Sequence, residues 1–223
     1  MMSQTIAQYW QQADSFAQAL ALLLLLMSLI SWTIILAKAW QLGSLSRSAG
    51  SLAAFWAAPD LQAGCQLLQV AGRRSPYLFL ASALPSLLDH PVQHLGRPAP
   101  LSDRLIAALR QALQAQTRVL ESGLTVLASI ASSAPFVGLL GTVWGIHQAM
   151  LKIADSGAVQ IDQLAGPVGE TLIMTAFGLV VAIPALLAYN ALGRQIRLHL
   201  AQLDGFAHDL HAHFSATQPA SPA

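Results

Sequence analysis

The residues of this chain that are best suited to take part in chemistry are three polar residues. They lie inside two long apolar stretches, residues 122–151 and 164–193. Glu170 is the only charged residue in either stretch. A carboxylate surrounded by lipid has to face water, a cavity or a partner, or bind a proton. A cavity-facing role is the preferred interpretation, and a rim position from which the side chain reaches the interface is the alternative. Thr142 and Thr175 add hydroxyl groups within the same two stretches.

The two threonines fall at matching depth if these stretches form antiparallel membrane helices. At about 1.5 Å of rise per residue, Thr142 lies about 14 Å below the outer end of its helix near Leu151. By the same rise, Thr175 lies about 16 Å below Leu164. Threonines in membrane helices often bond back to carbonyls of their own helix, which is the alternative interpretation. The matching depth favours a shared polar lumen near mid-membrane.

Small residues and prolines near these threonines are expected to shape helix packing. Small side chains at helical spacing let two backbones approach closely, and a proline in mid-span removes a backbone hydrogen bond and can kink the helix. The predicted packing residues are Pro135, Gly138, Gly141, Gly145, Gly178 and Pro184.

Composition and motifs exclude several classes of function. Of the 223 residues, 55% are hydrophobic and only 9% are charged, whereas a soluble domain carries about 25% charged residues. This composition indicates a membrane protein, and the formal net charge of +1 gives no sign of nucleic-acid binding. The sequence contains no nucleophile elbow, phosphate-binding glycine loop or HExxH motif. Neither an enzyme nor a bound cofactor is predicted.

The single cysteine and the histidines each admit two interpretations. Cys65 excludes an intramolecular disulfide and is interpreted as apolar filler, with a reactive thiol as the alternative. His147 is interpreted as interfacial, with a proton relay as the alternative. A polar cluster near the C terminus could share a helix face and bind a metal, but a solvated tail is preferred and no metal site is predicted. This cluster consists of His208, Asp209, His211 and His213.

Charge-free stretches locate the predicted membrane spans. Uncharged runs of 23, 30 and 23 residues follow Asp14, Glu121 and Glu170. About 20 apolar residues cross a bilayer core as a helix, so the predicted fold is an all-α membrane protein with three transmembrane helices. The first span is interpreted as a retained anchor rather than a cleaved signal peptide, because residues 1–15 contain no Lys or Arg. The predicted segments are an N-terminal segment 1–15, spans 16–37, 122–151 and 164–193, a helical domain 38–121, a loop 152–163 and a helical tail 194–223.

Basic residues predict the orientation of these spans. Eight of the eleven Lys and Arg residues lie between the first two spans, and Arg194 and Arg197 follow the third. The positive-inside rule therefore places residues 38–121 and 194–223 in the cytoplasm, with the N terminus and the loop 152–163 outside. The chain is predicted to be N-out and C-in.

The cytoplasmic segments are predicted to be helical. Leu61–Val70 is the clearest short helix, and Asp89–Pro100 is predicted to be a loop. Leucines repeat every four residues from Leu101 to Leu113, and no breaker is apparent as far as Ser122, so this helix is expected to run straight into span two. Span three is expected to continue as a helix with an apolar stripe from Ile196 to Phe214. That stripe packs either against the protein's own cytoplasmic helices or against identical neighbours in a ring.

At these polar residues the sequence resembles the ExbB/TolQ/MotA family of proton-channel stator subunits. The resemblance rests on Ala128–Ile146 (ASIASSAPFVGLLGTVWGI) and Gly166–Asn190 (GPVGETLIMTAFGLVVAIPALLAYN), and it covers residues 118–214 together with the first span. Among the branches, the chain is most similar to ExbB, the biopolymer transport protein of the TonB system. TolQ is close behind, whereas the four-span MotA-type stators fit poorly.

The resemblance implies a location, a set of partners and a pore. It implies a homopentamer in the bacterial inner membrane, with its N terminus in the periplasm, around a dimer of single-span ExbD-like subunits and acting through a TonB-like protein. It places the family's pore-lining threonines at Thr142 and Thr175 and its glutamate at Glu170. The proton-carrying aspartate then belongs to the ExbD-like partner. The chain departs from the family at Thr171 and Met174, where alanine is common, so detailed pore geometry transfers less directly.

Three hypotheses of function follow. The leading one is a non-enzymatic motor subunit that uses the proton motive force to energise TonB-dependent uptake. The second is a TolQ-like subunit of the Tol-Pal envelope system, which shares the same physics and differs in its output. The third is a passive membrane scaffold whose polar residues only hold helices together.

Overall fold

The fold is helical throughout the part of the chain that the structure describes. The computed structural model describes residues 14–72, 75–85, 100–156 and 161–216, and none of these residues lies in a strand. The helices are α1 (Ser15–Ala49), α2 (Leu52–Trp56), α3 (Leu61–Ala71), α4 (Pro76–Ser82), α5 (Leu101–Glu121), α6 (Leu124–Ser156) and α7 (Ile161–Ala216).

Three helical stretches of the chain are long and apolar enough to cross a membrane. They lie within Ser15–Gly43, Leu101–Leu151 and Thr171–Ser215. The predicted fold class, an all-α protein with three membrane-spanning helices, is confirmed. The chain divides into two compact units, the first formed by Met1–Ala37 and Gly123–Ala191 and the second by Lys38–Ser122 and Leu192–Ala223.

In the first unit, helix α1 lies against helix α6 with opposite chain direction. Asp14 accepts a hydrogen bond from the side-chain amide of Gln148 at 3.3 Å, and the rings of Phe16 and Trp144 have centroids 4.6 Å apart. At the other end of the contact, Gly123 faces the side chain of Ile34. One face of the first span is therefore packed and the other exposed. The exposed face carries Leu22, Leu25, Leu29, Trp32 and Leu36.

In the second unit, the C-terminal part of α7 packs against the short helices. Phe206 is 3% exposed, and its ring lies 5.3 Å from that of Phe55 and 5.5 Å from that of Tyr77. Leu203 and Leu210, one turn to either side, are also buried. Of the two packing partners predicted for this apolar stripe, the structure places it against the protein's own helices.

The same unit contains the single cysteine. Cys65 lies in α3 and is half-buried, and this burial raises the pKa of its thiol. A raised pKa keeps the thiol protonated and poorly nucleophilic near neutral pH, which agrees with the interpretation of Cys65 as apolar filler.

The structure corrects the prediction of one uninterrupted helix from Ser102 to Leu151. Helix α5 ends at Glu121 and α6 begins at Leu124, with Gly123 at a φ of +84° between them. This left-handed conformation is readily adopted by glycine, and it interrupts the helical ladder. Gly123 gave no helix-breaking signal in the sequence because single glycines are common in membrane helices.

The other helix boundaries extend beyond the predicted spans. Helix α3 matches the predicted short helix to within one residue. Helix α6 continues to Ser156 and α7 begins at Ile161, so helix covers part of the segment 152–163 assigned to a loop. The predicted loop Asp89–Pro100, apart from Pro100, and most of the N-terminal segment 1–15 lie outside the described residues.

The conformation of Gly123 leads to a test of stability. Gly123→Ala should lower the free energy of unfolding by about 1–2 kcal/mol, because an alanine at positive φ is strained. The added methyl group would also lie 3.1 Å from Cγ2 of Ile34. Thermal unfolding of the purified protein in detergent measures the effect.

Gly205 in α7 provides the matched control. Nothing lies within 4 Å of a methyl group placed there, so Gly205→Ala should stabilise the helix by about 0.5–1 kcal/mol. A Gly123→Ala protein that melts at or above the wild-type temperature would contradict the assigned turn.

Candidate functional site

The first unit has a seam at which helices α6 and α7 meet backbone to backbone. A methyl group at Gly138 would lie 2.7 Å from the carbonyl oxygen of Met174 and 3.2 Å from Cα of Gly178. A methyl group at Gly178 would lie 2.7 Å from the carbonyl oxygen of Ala134. Real side-chain carbons do not approach backbone atoms this closely, so the two glycines permit the helix contact.

Two larger side chains of α7 fill the spaces that the other glycines of α6 leave open. Met174 is 1% exposed, and its side chain lies against Gly141, with Cε 3.0 Å from the position of an added methyl group. The methyl group of Thr171 lies against Gly145 in the same way. The departures from the family pattern noted in the sequence are therefore packing residues of this seam.

These contacts define an antiparallel register. Gly145 meets Thr171, Gly141 meets Met174 and Gly138 meets Gly178. Residue numbers rise along α7 as they fall along α6, at the spacing of three and four residues that places side chains on one helix face. The glycine spacing in the sequence thus becomes one continuous packed face in the structure.

The two threonines lie beside this seam. Thr142 directly follows Gly141 and is 5% exposed, and its hydroxyl donates to the carbonyl oxygen of Leu139 at 2.7 Å. Thr175 directly follows Met174 and is half-buried, and its Cα would lie 3.1 Å from a methyl group at Gly138. The structure thus brings the segments that carry both threonines to the same level of the helix pair.

The hydroxyl of Thr142 makes the own-helix hydrogen bond that the sequence left as an alternative. This bond uses the hydroxyl proton, while the oxygen keeps lone pairs that can accept a further hydrogen bond. A hydroxyl with its proton engaged can remain in an apolar environment and still offer an acceptor to water or to an acid.

The other predicted site residues, and His147, also lie on helices α6 and α7. Glu170 lies in helix α7, one residue before Thr171, and its side chain lies outside the described part of the structure. Pro135 and Pro184 are half-buried within α6 and α7, and the helix assignment continues through both. His147 is exposed on α6 with its ring 5.9 Å from that of Trp144.

The histidines of the C-terminal tail make separate contacts. Nε2 of His211 lies 3.4 Å from the hydroxyl oxygen of Ser102, and the ring of His213 lies 6.0 Å from that of Trp56. Among the described residues, no three His, Cys, Asp or Glu side chains are grouped so that they could hold a metal ion.

Sequence reasoning missed two interactions that the structure makes prominent. Lys38 served only as an indicator of topology, yet its ammonium group is buried and donates to carbonyl oxygens 81 and 82 residues away in the chain. Phe16 and Trp144 form a ring contact between α1 and α6. Neither pairing has a signal in a single sequence, because the partners are distant in the chain.

Residues 79–204 match the family model described as the MotA/TolQ/ExbB proton channel family. This match includes the whole helix seam and both threonines.

Relatives cover most of the chain. The chain is 39% identical over 199 residues to a biopolymer transport protein ExbB of Xanthomonas campestris, covering 86% of this chain and 79% of the relative. It is 35% identical over 206 residues to ExbB of Neisseria meningitidis, covering 91% and 93%. It is also 29% identical over 191 residues to a Tol-Pal system protein TolQ of Haemophilus influenzae, covering 83% and 82%.

The seam leads to a second test of stability. Gly138→Ala and Gly178→Ala should each destabilise the protein by about 1–3 kcal/mol, because backbone atoms cannot move aside without separating the helices. Gly169→Ala is the control within α7, since nothing lies within 4 Å of a methyl group there. Thermal unfolding in detergent compares the three variants, and equal melting temperatures would contradict the described contact.

Proposed function

Because the chain belongs to the MotA/TolQ/ExbB proton channel family, we propose that it is the ExbB-type motor subunit of an ExbB–ExbD–TonB complex. In this proposal the complex uses the proton motive force to energise TonB-dependent uptake across the outer membrane. The observation that carries the proposal is the identity to ExbB proteins over most of the chain. The packed α6–α7 seam, with a threonine on each helix beside it, supports it.

The proposed location follows from the helices and from the family. The chain is a multi-pass membrane protein with three apolar helices. We place it in the bacterial inner membrane with its N terminus in the periplasm and its C terminus in the cytoplasm. The concentration of basic residues between the first two spans supports this orientation.

The proposed mechanism assigns this chain the lining of a proton path rather than the titrating acid. Thr142, Glu170 and Thr175 would line the lumen of a ring of five copies that surrounds single-span ExbD-like subunits. The threonine oxygens can accept hydrogen bonds from water or from a protonated carboxyl group. A carboxylate of the partner would take up and release the proton within this lining, and the change of charge would drive relative rotation of the two components.

The proposed role requires no bond-making chemistry in this chain. The proteins of this family are channel or transport subunits. Proton movement through water to a carboxylate of the partner needs only hydrogen-bond acceptors and a hydrated route, which the three residues would supply together with the partner.

Similarity to a TolQ protein supports a second candidate function. The 29% identity to a TolQ protein over 83% of the chain is consistent with a subunit of the Tol-Pal system. The higher identity to the ExbB relatives makes the TonB-linked role the preferred one.

Substitution of the proposed lining residues should reduce energy coupling while leaving the complex intact. Thr142→Ala and Thr175→Ala should each lower iron-siderophore uptake about tenfold, which corresponds to one lost hydrogen bond of roughly 1.4 kcal/mol in the conducting state. Glu170→Ala should lower uptake further. Uptake is measured in a strain that lacks the wild-type gene, with protein levels and co-purification of the ExbD-like subunit measured in parallel.

Thr33→Ala is the matched control. Thr33 is exposed on α1 and donates to its own helix at the carbonyl oxygen of Leu29, so its loss should leave uptake unchanged. Normal uptake in a well-expressed Glu170→Ala strain would remove Glu170 from the path. Loss of assembly in the Thr142→Ala/Thr175→Ala protein would instead support the passive scaffold.

The two outputs are separated by the phenotype of a strain that lacks this protein. The TonB-linked role predicts poor growth when iron is available only as a siderophore complex, together with normal tolerance of detergent. Detergent sensitivity with normal iron uptake would favour the TolQ-like role. Complementation with the wild-type gene shows that the phenotype belongs to this chain.

A further inference from the structure

Lys38 is a buried cation of helix α1 that has no part in the proposed proton path. Its side chain is 7% exposed. The Nζ atom donates to the carbonyl oxygens of Val119 and Leu120, each at 2.9 Å. It also lies 3.1 Å from the side-chain oxygen of Gln41 and 3.2 Å from the hydroxyl oxygen of Ser122. All four acceptors are neutral oxygens.

The two carbonyl groups belong to the last turn of helix α5. The last four carbonyl groups of any α-helix lack partners within the helix, and together they carry a partial negative charge. Helix α5 ends at Glu121, so Val119 and Leu120 lie within this turn. The acceptors that the helix end leaves open are therefore bonded by an ammonium group from another helix.

Two further hydrogen bonds are accepted by carbonyl groups in the last turn of α5. The hydroxyl of Ser122 donates to the carbonyl oxygen of Val119 at 2.8 Å, and the amide of Ser122 donates to the carbonyl oxygen of Arg118 at 3.1 Å. Gly123 then turns the chain at a φ of +84°. The Lys38 ammonium lies where the helical ladder stops.

A lysine suits this position for electrostatic reasons. A buried ammonium group is unfavourable unless it is hydrogen-bonded and faces negative charge. The end of α5 supplies both, because its carbonyl dipoles point toward the cation. A neutral side chain of the same length would leave the two carbonyl groups without this donor.

We infer that Lys38 is the C-terminal cap of helix α5, supplied by helix α1, and that this cap fixes where α5 ends and the turn before α6 begins. Lys38 is thus a positioning residue for the end of α5, which directly precedes in the chain the helix that carries Thr142. The cap itself does not depend on the proposed function, whereas its effect on uptake rests on that function.

Hydrogen exchange of the full-length protein tests the cap. In Lys38→Met, which keeps a long side chain and removes the donors, amides of residues 115–122 should exchange about ten- to a hundredfold faster than in the wild type. Lys38→Arg retains cationic donors and should restore most of the protection. Unchanged exchange in Lys38→Met would overturn the inference.

Two further variants keep the test decisive. Arg110→Met removes a cation from an exposed position of helix α5 and should leave exchange at residues 115–122 unchanged. An equal increase in this variant would mean that loss of charge alone explains the result, and would overturn the cap. If Lys38→Met cannot be purified, Lys38→Gln, which removes the charge and shortens the side chain, should give a smaller increase at the same amides, and the absence of this increase would overturn the cap.

Uptake measurements separate this inference from the proposed function. With normal protein levels, Lys38→Met should lower iron-siderophore uptake and Lys38→Arg should restore it. Faster exchange with normal uptake would leave the cap in place and overturn its positioning role in coupling. If the wild-type protein itself does not support TonB-dependent uptake, the proposed function fails while the exchange result still decides the cap.

Discussion

The close approach of helices α6 and α7 at Gly138 and Gly178 is the constraint on which the first unit depends. Within a bilayer, lipid tails are as apolar as side chains, so helices associate through van der Waals contact rather than by leaving water. Such contact requires surfaces that fit, and a methyl group at either glycine would lie 2.7 Å from a backbone oxygen. Once the backbones meet there, Met174 has its place against Gly141, and the rest of the register follows.

That register determines what the polar residues can do. Thr142 directly follows a glycine of the seam, and its hydroxyl proton is engaged by the carbonyl oxygen of Leu139. The oxygen remains an acceptor, so the residue is compatible with an apolar environment and can still bind water or a protonated acid. Acceptors beside a packed seam suit the division of roles proposed for the complex, in which a partner would carry the titrating group.

The sequence predicted the helical class, the three apolar helices and the small-residue face, because these depend on composition and on the helical period. It did not predict the break at Gly123, because a glycine in an apolar stretch is equally compatible with close packing and with a turn. It also did not predict the contacts of Lys38, whose acceptors lie 81 and 82 residues away. Periodicity describes which face of a helix is buried, but it does not identify the group that meets the end of another helix.

Two of the few charged residues in this chain lie at helix ends, where unpaired backbone groups need partners. The flank of a long apolar helix needs no charge, because its backbone groups bond to one another. The unpaired groups are at the ends, where a single ion can satisfy several of them. In the first unit the carboxylate of Asp14 accepts from the amide of Ser15 at the start of α1, and in the second unit Lys38 donates at the end of α5. Charged residues that make up 9% of the sequence can therefore stabilise helices this long when some of them lie where the helical ladder begins and ends.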